Sequence, residues 1–280
     1  MTYFINRRIA PLWLGCCALA AQAQTIPSAA TADPDARDAP AAPAMPAVAA
    51  MPVTANVTVA SQYISRGFRQ TWGQPALQGG IDYAHSSGWS LGTWLSTVSN
   101  RYIEDATLEW DVYGGYAASA GAVGYSAMLY YYKYPGAEYR ATATKYDYGE
   151  LSLGLTYRFL YAKYNYTFTR DFFGITHARG TGYLDLGANV DLGAGYTLNL
   201  HLGDGRVAGT GNAIWNWRDV KVGVGKTFDG GWSAAAAYTR AKGASNAYDG
   251  YTLGIPNSAG TIETSNPASA TLVVSLTKTF

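Results

Sequence analysis

Charge is scarce in this sequence, and so are long apolar runs. Only 14% of the 280 residues are charged, against about 25% in an average soluble domain. No stretch reaches the roughly 18 uninterrupted apolar residues that a transmembrane helix needs. The composition therefore argues against a helical membrane protein and is unusual for a soluble one.

Cysteine is limited to Cys16 and Cys17, inside an N-terminal apolar run, IAPLWLGCCALA, that follows Arg7 and Arg8. The triplet Ala21 to Ala23 has the small-x-small form of a cleavage site, so residues 1–23 are predicted to be a secretory signal peptide. A lipoprotein signal ending at Cys16 is the alternative, but Trp13 stands where such a signal has leucine. Cleavage after Ala23 would leave no thiol, which excludes disulfide and cysteine-nucleophile chemistry.

The predicted mature chain has no strong charge bias. Losing Arg7 and Arg8 takes the 20 basic residues to 18 against 19 acidic ones, a net charge of −1. This balance gives no nucleic-acid footprint. Residues 24–53 are rich in alanine and proline and are predicted to be a disordered tether, and residues 54–280 to be the folded domain.

Tyrosine and glycine are abundant, with 23 and 32 copies, and short alternating segments fill the chain after residue 54. Tyrosine is a good strand former and suits a membrane–water boundary. The alternation predicts twelve strands: Ala55–Arg66, Pro75–Ala84, Trp89–Val98, Ala106–Ala117, Val123–Lys133, Tyr146–Tyr157, Phe159–Phe168, Gly182–Asp191, Tyr196–Leu202, Asn216–Phe228, Trp232–Ala241 and Ser269–Phe280.

The connections between these strands alternate between tight turns, such as HSSG and DGG, and long loops, the longest covering residues 242–268. Alternating short and long connections around an even number of strands are typical of an outer-membrane barrel. We therefore expect an all-β, transmembrane, antiparallel up-and-down barrel of about twelve strands. A soluble β-sandwich with one polar face is the alternative.

The C-terminal segment TLVVSLTKTF supports the barrel. Phe280, Leu276 and Val274 share one face of an extended strand, which only Lys278 interrupts. We expect this strand to close the barrel against the first one, and these three residues to form the signal read by the outer-membrane assembly machinery.

The two faces of the strands predict which residues meet lipid and which meet the lumen. Apolar faces such as Leu151, Leu153 and Leu155 would face lipid, and aromatic residues at strand ends, including Tyr164, Tyr166, Phe168, Trp215 and Trp217, would form an interfacial girdle. Charges are costly at the lipid midplane, so they must line the lumen. The predicted pore-lining residues are Arg66, Asp82, Glu109, Asp111, Glu150, Arg158, Lys163, Asp185, Asp191, His201, Asp219 and Lys221.

Residues 61–98, SQYISRGFRQTWGQPALQGGIDYAHSSGWSLGTWLSTV, resemble the opening block of the TorF-family porins of proteobacteria. The shared positions include Tyr63, Arg66 with Gly67, Pro75 and Trp94. The segment LEWDVYGGY and the terminal phenylalanine also look like the family pattern. The resemblance implies a barrel in the outer membrane of a Gram-negative bacterium with a pore role, and it implies no catalytic residues.

Three functions remain open at this stage. The first is a narrow passive channel for small solutes or ions, with long loops, especially residues 242–268, folding inward as a constriction. The second is a closed structural or surface-binding barrel, which a lumen plugged by Arg66, Glu109, Glu150 and Arg158 would produce. The third, an outer-membrane hydrolase, has little support because none of His85, His177 and His201 lies in a catalytic motif. No cofactor, metal or nucleic-acid partner is expected; the expected partners are outer-membrane lipids, the assembly machinery and small solutes or ions.

Overall fold

A computed structural model describes residues 52–280, so the predicted signal peptide and almost all of the predicted tether lie outside the described residues. The chain forms a closed barrel of twelve antiparallel strands, and the predicted fold class is confirmed. In chain order the barrel strands are β1 Val53–Ala60, β2 Ala76–Ala84, β3 Trp89–Thr97, β4 Leu108–Ala120, β5 Val123–Lys133, β6 Tyr148–Tyr157, β7 Leu160–Thr167, β8 Gly182–Gly193, β9 Tyr196–Arg206, β10 Trp217–Thr227, β11 Trp232–Gly243 and β12 Thr271–Thr279.

All twelve predicted strands are present, and the differences are at their ends. The bounds predicted for β5 are those observed, whereas β9 continues four residues beyond the predicted Leu202, to Arg206. The largest error is in β1, which ends at Ala60 instead of Arg66. Residues 61–75 leave the wall there and form a small hairpin of Ile64–Ser65 with Phe68–Arg69.

Closure joins the two ends of the folded chain. β1 pairs with β12 from Asn56 opposite Thr279 to Ala60 opposite Ser275. The backbone N–H of Phe280 donates to the carbonyl oxygen of Ala55 at 2.8 Å. The terminal strand is therefore paired to its last residue, as its alternating pattern predicts.

The short connections lie at one end of the barrel and the long ones at the other. The short turns are residues 85–88, 121–122, 158–159, 194–195 and 228–231, the last containing a 3₁₀ turn, Asp229–Gly231. The long loops include a 3₁₀ turn, Asn212–Trp215, and a second small hairpin of Glu138–Tyr139 with Thr144–Lys145. Within the described residues, no helix is long and apolar enough to cross a membrane.

Large apolar side chains cover the outside of the barrel. Leu153, Leu202 and Val222 are each exposed by at least half. Exposed aromatic residues collect near both ends of this apolar surface: Trp89, Tyr157, Tyr196, Phe228, Trp232 and Phe280 near the short turns, and Trp110, Tyr131, Tyr164, Tyr166 and Phe168 near the long loops. Two aromatic belts flanking an apolar band are typical of barrels that sit in a bilayer.

Trp217 does not belong to either belt, so its predicted place in the girdle is wrong. Its side chain is only 4% exposed and lies inside the barrel. An added side chain at Gly205, the register partner of Trp217, would meet the indole ring at 2.4 Å. The alternation of β10 decides this, because Trp217 shares its inward phase with Asp219.

Candidate functional site

Alternate residues of each strand point inward and form the lumen wall. Of the predicted pore-lining residues, Asp82, Glu109, Asp111, Glu150, Asp185, His201 and Asp219 are buried inside the barrel, and Lys163 and Lys221 are half-buried on the same wall. The structure therefore brings nine of these positions together around the lumen. Whether they line a conducting path stays a prediction.

One position in the predicted set lies elsewhere. Arg158 was expected to share the inward face of Glu150, but the chain turns there, with φ 54°, and the side chain is exposed. Its guanidinium lies 5.3 Å from the centre of the Tyr157 ring. Asp191 keeps the inward phase of Asp185 on β8 but is exposed near the open short-turn end, where its carboxylate accepts a hydrogen bond from the N–H of Gly193 at 2.7 Å.

The first loop, residues 61–75, folds into the lumen and spans it. At the tip of its hairpin, Arg66 and Gly67 both have positive φ, 48° and 84°, as a tight two-residue turn of the primed type requires. Arg66 donates to Glu150 on β6 through Nη1 at 3.0 Å, and its backbone carbonyl accepts from Trp217 Nε1 on β10 at 3.1 Å. One residue of the first loop thus contacts two separate parts of the barrel wall.

Gly67 touches the wall directly. A Cβ at this position would lie 2.6 Å from the Cβ atoms of Asp219 and Ala241, on β10 and β11. Because both atoms belong to short, rigidly held parts of the wall, the hairpin can sit here only without a side chain.

Gly67→Ala is therefore expected to release the first loop from the lumen wall. Amide hydrogen exchange within residues 62–72 should become at least tenfold faster, because alanine adds both a steric clash and the cost of a positive φ, about 1 to 2 kcal/mol. Gly121→Ala is the matched control, since Gly121 also has a positive φ, 60°, but an added Cβ meets nothing within 4 Å. Equal exchange in the two variants would contradict the docking of the tip.

Arg66 faces an acidic and aromatic part of the wall. The Arg66–Glu150 pair is nearly dry, with side-chain exposures of 10% and 0%. Tyr132 and Tyr148 stack beside it at 4.4 Å between ring centres. Neither carboxylate oxygen of the fully buried Asp111 has a hydrogen-bond partner among the described residues. With Glu109 also buried, three carboxylates and one guanidinium make this part of the lumen acidic.

A second cluster of charges lies across β8, β9 and β10. His201 Nδ1 is 2.8 Å from Asp185 Oδ1, and its Nε2 is 2.6 Å from Asp219 Oδ2. A neutral imidazole has only one N–H, so bonds to two carboxylates take the doubly protonated ring. Both ring nitrogens are thus occupied, and neither is free to act as a general base on a substrate.

Tyr183 links the two clusters. Its hydroxyl donates to Asp219 Oδ1 at 3.0 Å, and the guanidinium of Arg66 lies 4.5 Å from the centre of its ring. The other histidines lie outside the lumen wall: His85 contacts Ser87 in a short turn, and His177 contacts Arg170 in a long loop. Among the described residues, no group of three or more histidines, cysteines and acidic residues is arranged to hold a metal ion.

Aromatic side chains close the loop end above the first loop. Phe68 packs against Tyr248 at 4.7 Å and Trp217 at 5.5 Å between ring centres, and Tyr102 packs against Tyr251 at 5.6 Å. Burial raises the pKa of the Tyr102 and Tyr248 hydroxyls, so these groups stay neutral at ordinary pH. A cavity of about 110 Å³ remains among these rings.

The last loop, residues 244–270, packs over the first loop. The last loop is held in place by an ion pair between Arg101 and Glu263 and by a hydrogen bond from Arg69 to Ser265. The sequence singled out this last loop as the constriction, but the segment that spans the lumen is the first loop. Toward the short turns the lumen is open, since Ser126, Thr156 and Asn189 are partly or fully exposed.

Sequence reasoning missed the inward hairpin because Ala55–Arg66 was predicted to be one strand, although Ser61 and Ser65 would fall on the apolar face of β1 and Ile64 on its polar face. The available signal was Gly67, since a two-residue hairpin turn of the primed type needs a positive φ, which glycine adopts readily. Tyr183 and Trp217 were also missed as lumen residues, because an aromatic residue fits either face of a barrel strand.

Comparisons with known proteins agree with the barrel. The model of a family described as "Bacterial protein of unknown function (Gcw_chp)" matches residues 44–280. No curated protein matches the chain. Among solved structures, the KdgM porin is similar at 8% identity and a TM-score of 0.51, over 81% of this chain and 99% of that one. The NanC porin in a rhombohedral crystal form is similar at 9% identity and a TM-score of 0.51, over 81% and 98%. At such low identity these likenesses show a shared fold.

Proposed function

The chain belongs to the Gcw_chp family of bacterial proteins of unknown function, and from this premise we propose that it is a narrow outer-membrane porin through which small solutes or ions diffuse passively. The observation that carries the proposal is the division of the barrel into an apolar exterior and a charged, polar lumen. Such a wall fits a bilayer outside and water inside. The fold shared with two porins supports it, and so does the resemblance of residues 61–98 to the TorF-family porins.

The proposal includes the placement of the barrel. Its membrane is the outer membrane of a Gram-negative bacterium, reached through the predicted signal peptide, and its short turns face the periplasm. The assembly machinery would recognise the closing strand, on which Val274, Leu276 and the terminal Phe280 are exposed on the outer face. The partners proposed are thus lipids, this machinery and the permeating solutes.

The first loop would determine the width of the channel in this porin. Twelve strands fall between the eight that side chains can fill and the 16 to 18 that leave a wide aqueous channel. Here the hairpin with Arg66 at its tip crosses the remaining space. The permeation path in this proposal runs past the first loop, so the conductance depends on how firmly the loop is held.

A specific observation favours one second candidate, a closed barrel with a surface-binding role. The aromatic core over the first loop fills the loop end in the conformation described. In this alternative, solute does not cross, and the cavity among Phe68, Tyr102 and Tyr248 would receive a ligand from outside.

Single-channel recording on the refolded mature protein in a planar bilayer separates the two candidates. A heat-dependent shift in gel migration first establishes that the barrel is folded. We expect small, discrete and reproducible current steps. Silence from a folded barrel, under conditions where a known porin conducts, would overturn the channel and favour the closed alternative.

A further inference from the structure

Positive charge collects on the outside of the barrel, at the loop end of three neighbouring strands. Arg206 on β9, Arg218 on β10, and Arg240 and Lys242 on β11 are all exposed. They share the outward phase of Leu202, Val220 and Tyr238, which are exposed on the same strands. We call these four residues, with Asp204, the exterior cationic patch.

Asp204 fixes the orientation of two members of the patch. Its carboxylate accepts from Arg206 Nε at 2.5 Å and Nη2 at 2.9 Å, and from Arg218 Nε at 2.8 Å. The two arginine side chains are nonetheless 59% and 74% exposed. Among the described residues, Asp204 is the only carboxylate that pairs with either arginine. A planar guanidinium group suits bidentate binding of a phosphate group.

The other two cations of the patch, Arg240 and Lys242, add further positive charge to it. Arg218 and Lys242 are register partners on β10 and β11, and Arg240 is the partner of Val220 on the same outward face. Like charges placed directly opposite each other on one face of a sheet destabilise it. Neither Arg240 nor Lys242 has an acidic partner within 4.0 Å in the part of the chain that the structure describes, so an anion from outside would remove this repulsion.

Two other cations at the loop end have carboxylate partners. Lys133 pairs with Asp147 at 3.3 Å, and Arg140 pairs with Asp105 at 2.7 Å. The patch differs in having four cations and one carboxylate, a net formal charge of +3.

The height of the patch fits the edge of a bilayer. On β10 the outward residues between Arg218 and Lys226 are Val220, Val222 and Val224. At about 3.3 Å per residue and a tilt of about 40°, these two cations are about 20 Å apart along the barrel axis. Arg218 therefore lies at the loop-side border of the apolar band, where lipid headgroups begin.

We propose that the exterior cationic patch binds the phosphate groups of an anionic, multiply phosphorylated lipid headgroup in the leaflet around the loop end. Arg206 and Arg218 present oriented guanidinium groups to one phosphate, while Arg240 and Lys242 neutralise a second. The inference rests on the proposed membrane placement, because it needs lipid at this border.

Lipid binding to the folded barrel in detergent tests the proposal, with native mass spectrometry counting the bound lipid. The probes are a diphosphorylated glucosamine glycolipid, the same glycolipid without its phosphates, and inorganic phosphate. The variant is Arg218→Gln with Lys242→Gln. Lys226→Gln with Lys278→Gln is the matched control, since these two outward lysines lie at the opposite end of the band, near Tyr196 and Trp232.

The wild-type barrel and the control are expected to retain the diphosphorylated glycolipid, and the patch variant to bind it about thirtyfold more weakly, the ratio for losing two cation contacts at a lipid surface. Equal binding by the patch variant and the control would overturn the proposal. So would equal retention of the dephosphorylated lipid, or displacement of the glycolipid by equimolar inorganic phosphate. Lipid retention is measured without any current. A folded barrel that conducts no current but still retains the lipid would therefore overturn the proposed channel and leave the proposed lipid site standing.

Discussion

Arg66→Met is expected to turn the narrow barrel into a leakier one. Removing the guanidinium leaves Glu150 buried without its partner, and breaking a buried ion pair from one side costs about 3 to 5 kcal/mol. Glu150 is fully buried, so the docked loop bears this cost and the released loop, with Glu150 hydrated, avoids it. At about 1.4 kcal/mol per tenfold, the ratio of released to docked loop should rise by about two to three and a half orders of magnitude.

Single-channel recording measures this change as longer open times and larger steps. Glu150→Gln should act in the same direction, because it leaves Arg66 buried without a counter-charge. The double variant, with both changes, should lie closer to the wild type than either single variant, since it buries no unpaired charge. Additive effects in the double variant would contradict the idea that the Arg66–Glu150 ion pair holds the first loop in the lumen.

Arg158→Met is the control for this series. It removes an arginine that the sequence placed on the lumen face, but whose side chain is exposed at a short turn. Its current should match the wild type. A gain equal to that of Arg66→Met would show that general loss of positive charge, and not release of the first loop, raises the current.

His201→Ala is expected to destabilise the barrel strongly. The imidazolium separates two buried carboxylates, those of Asp185 and Asp219, and its loss leaves them facing each other across β8, β9 and β10. We expect the free energy of unfolding to fall by about 3 to 5 kcal/mol, as for other buried pairs that lose one partner. Urea titration of the barrel in lipid vesicles, followed by the heat-dependent gel shift, measures this loss.

Two further variants identify the cause of the destabilisation. Adding Asp185→Asn and Asp219→Asn to His201→Ala should restore part of the stability, because the amides carry no charge. His85→Ala should change it by less than about 0.5 kcal/mol, since His85 is exposed in a short turn. A small effect of His201→Ala, similar to that of His85→Ala, would show that water already solvates these carboxylates.

The pattern of the strands was predictable because the reason for it is local. In a barrel, every second residue meets either the exterior or the lumen, so the period-2 alternation appears in each segment independently. The bounds of β5 and the paired end at Phe280 follow directly from this pattern. The alternation also predicted the inward phase of Asp185, His201 and Asp219.

The contacts between these inward residues were not predictable. Whether His201 lies between two carboxylates depends on the register of β8, β9 and β10, which pairs Gly187 with His201 and Gly203 with Asp219. The exterior cationic patch has the same origin, because Arg206, Arg218 and Lys242 come from three strands and reach one height only through that register. The alternation is a property of a single strand, whereas the register is a property of two paired strands.

The sequence by itself determined a two-faced, twelve-stranded closed barrel with a polar interior. The tertiary structure decided what occupies that interior. Residues 61–66 are predicted to continue the first wall strand, yet the chain leaves the wall after Ala60 because Arg66 can reach Glu150 and Gly67 fits against Asp219 and Ala241 only across the barrel. These contacts join residues up to 174 positions apart, from Gly67 to Ala241, and no local pattern records them.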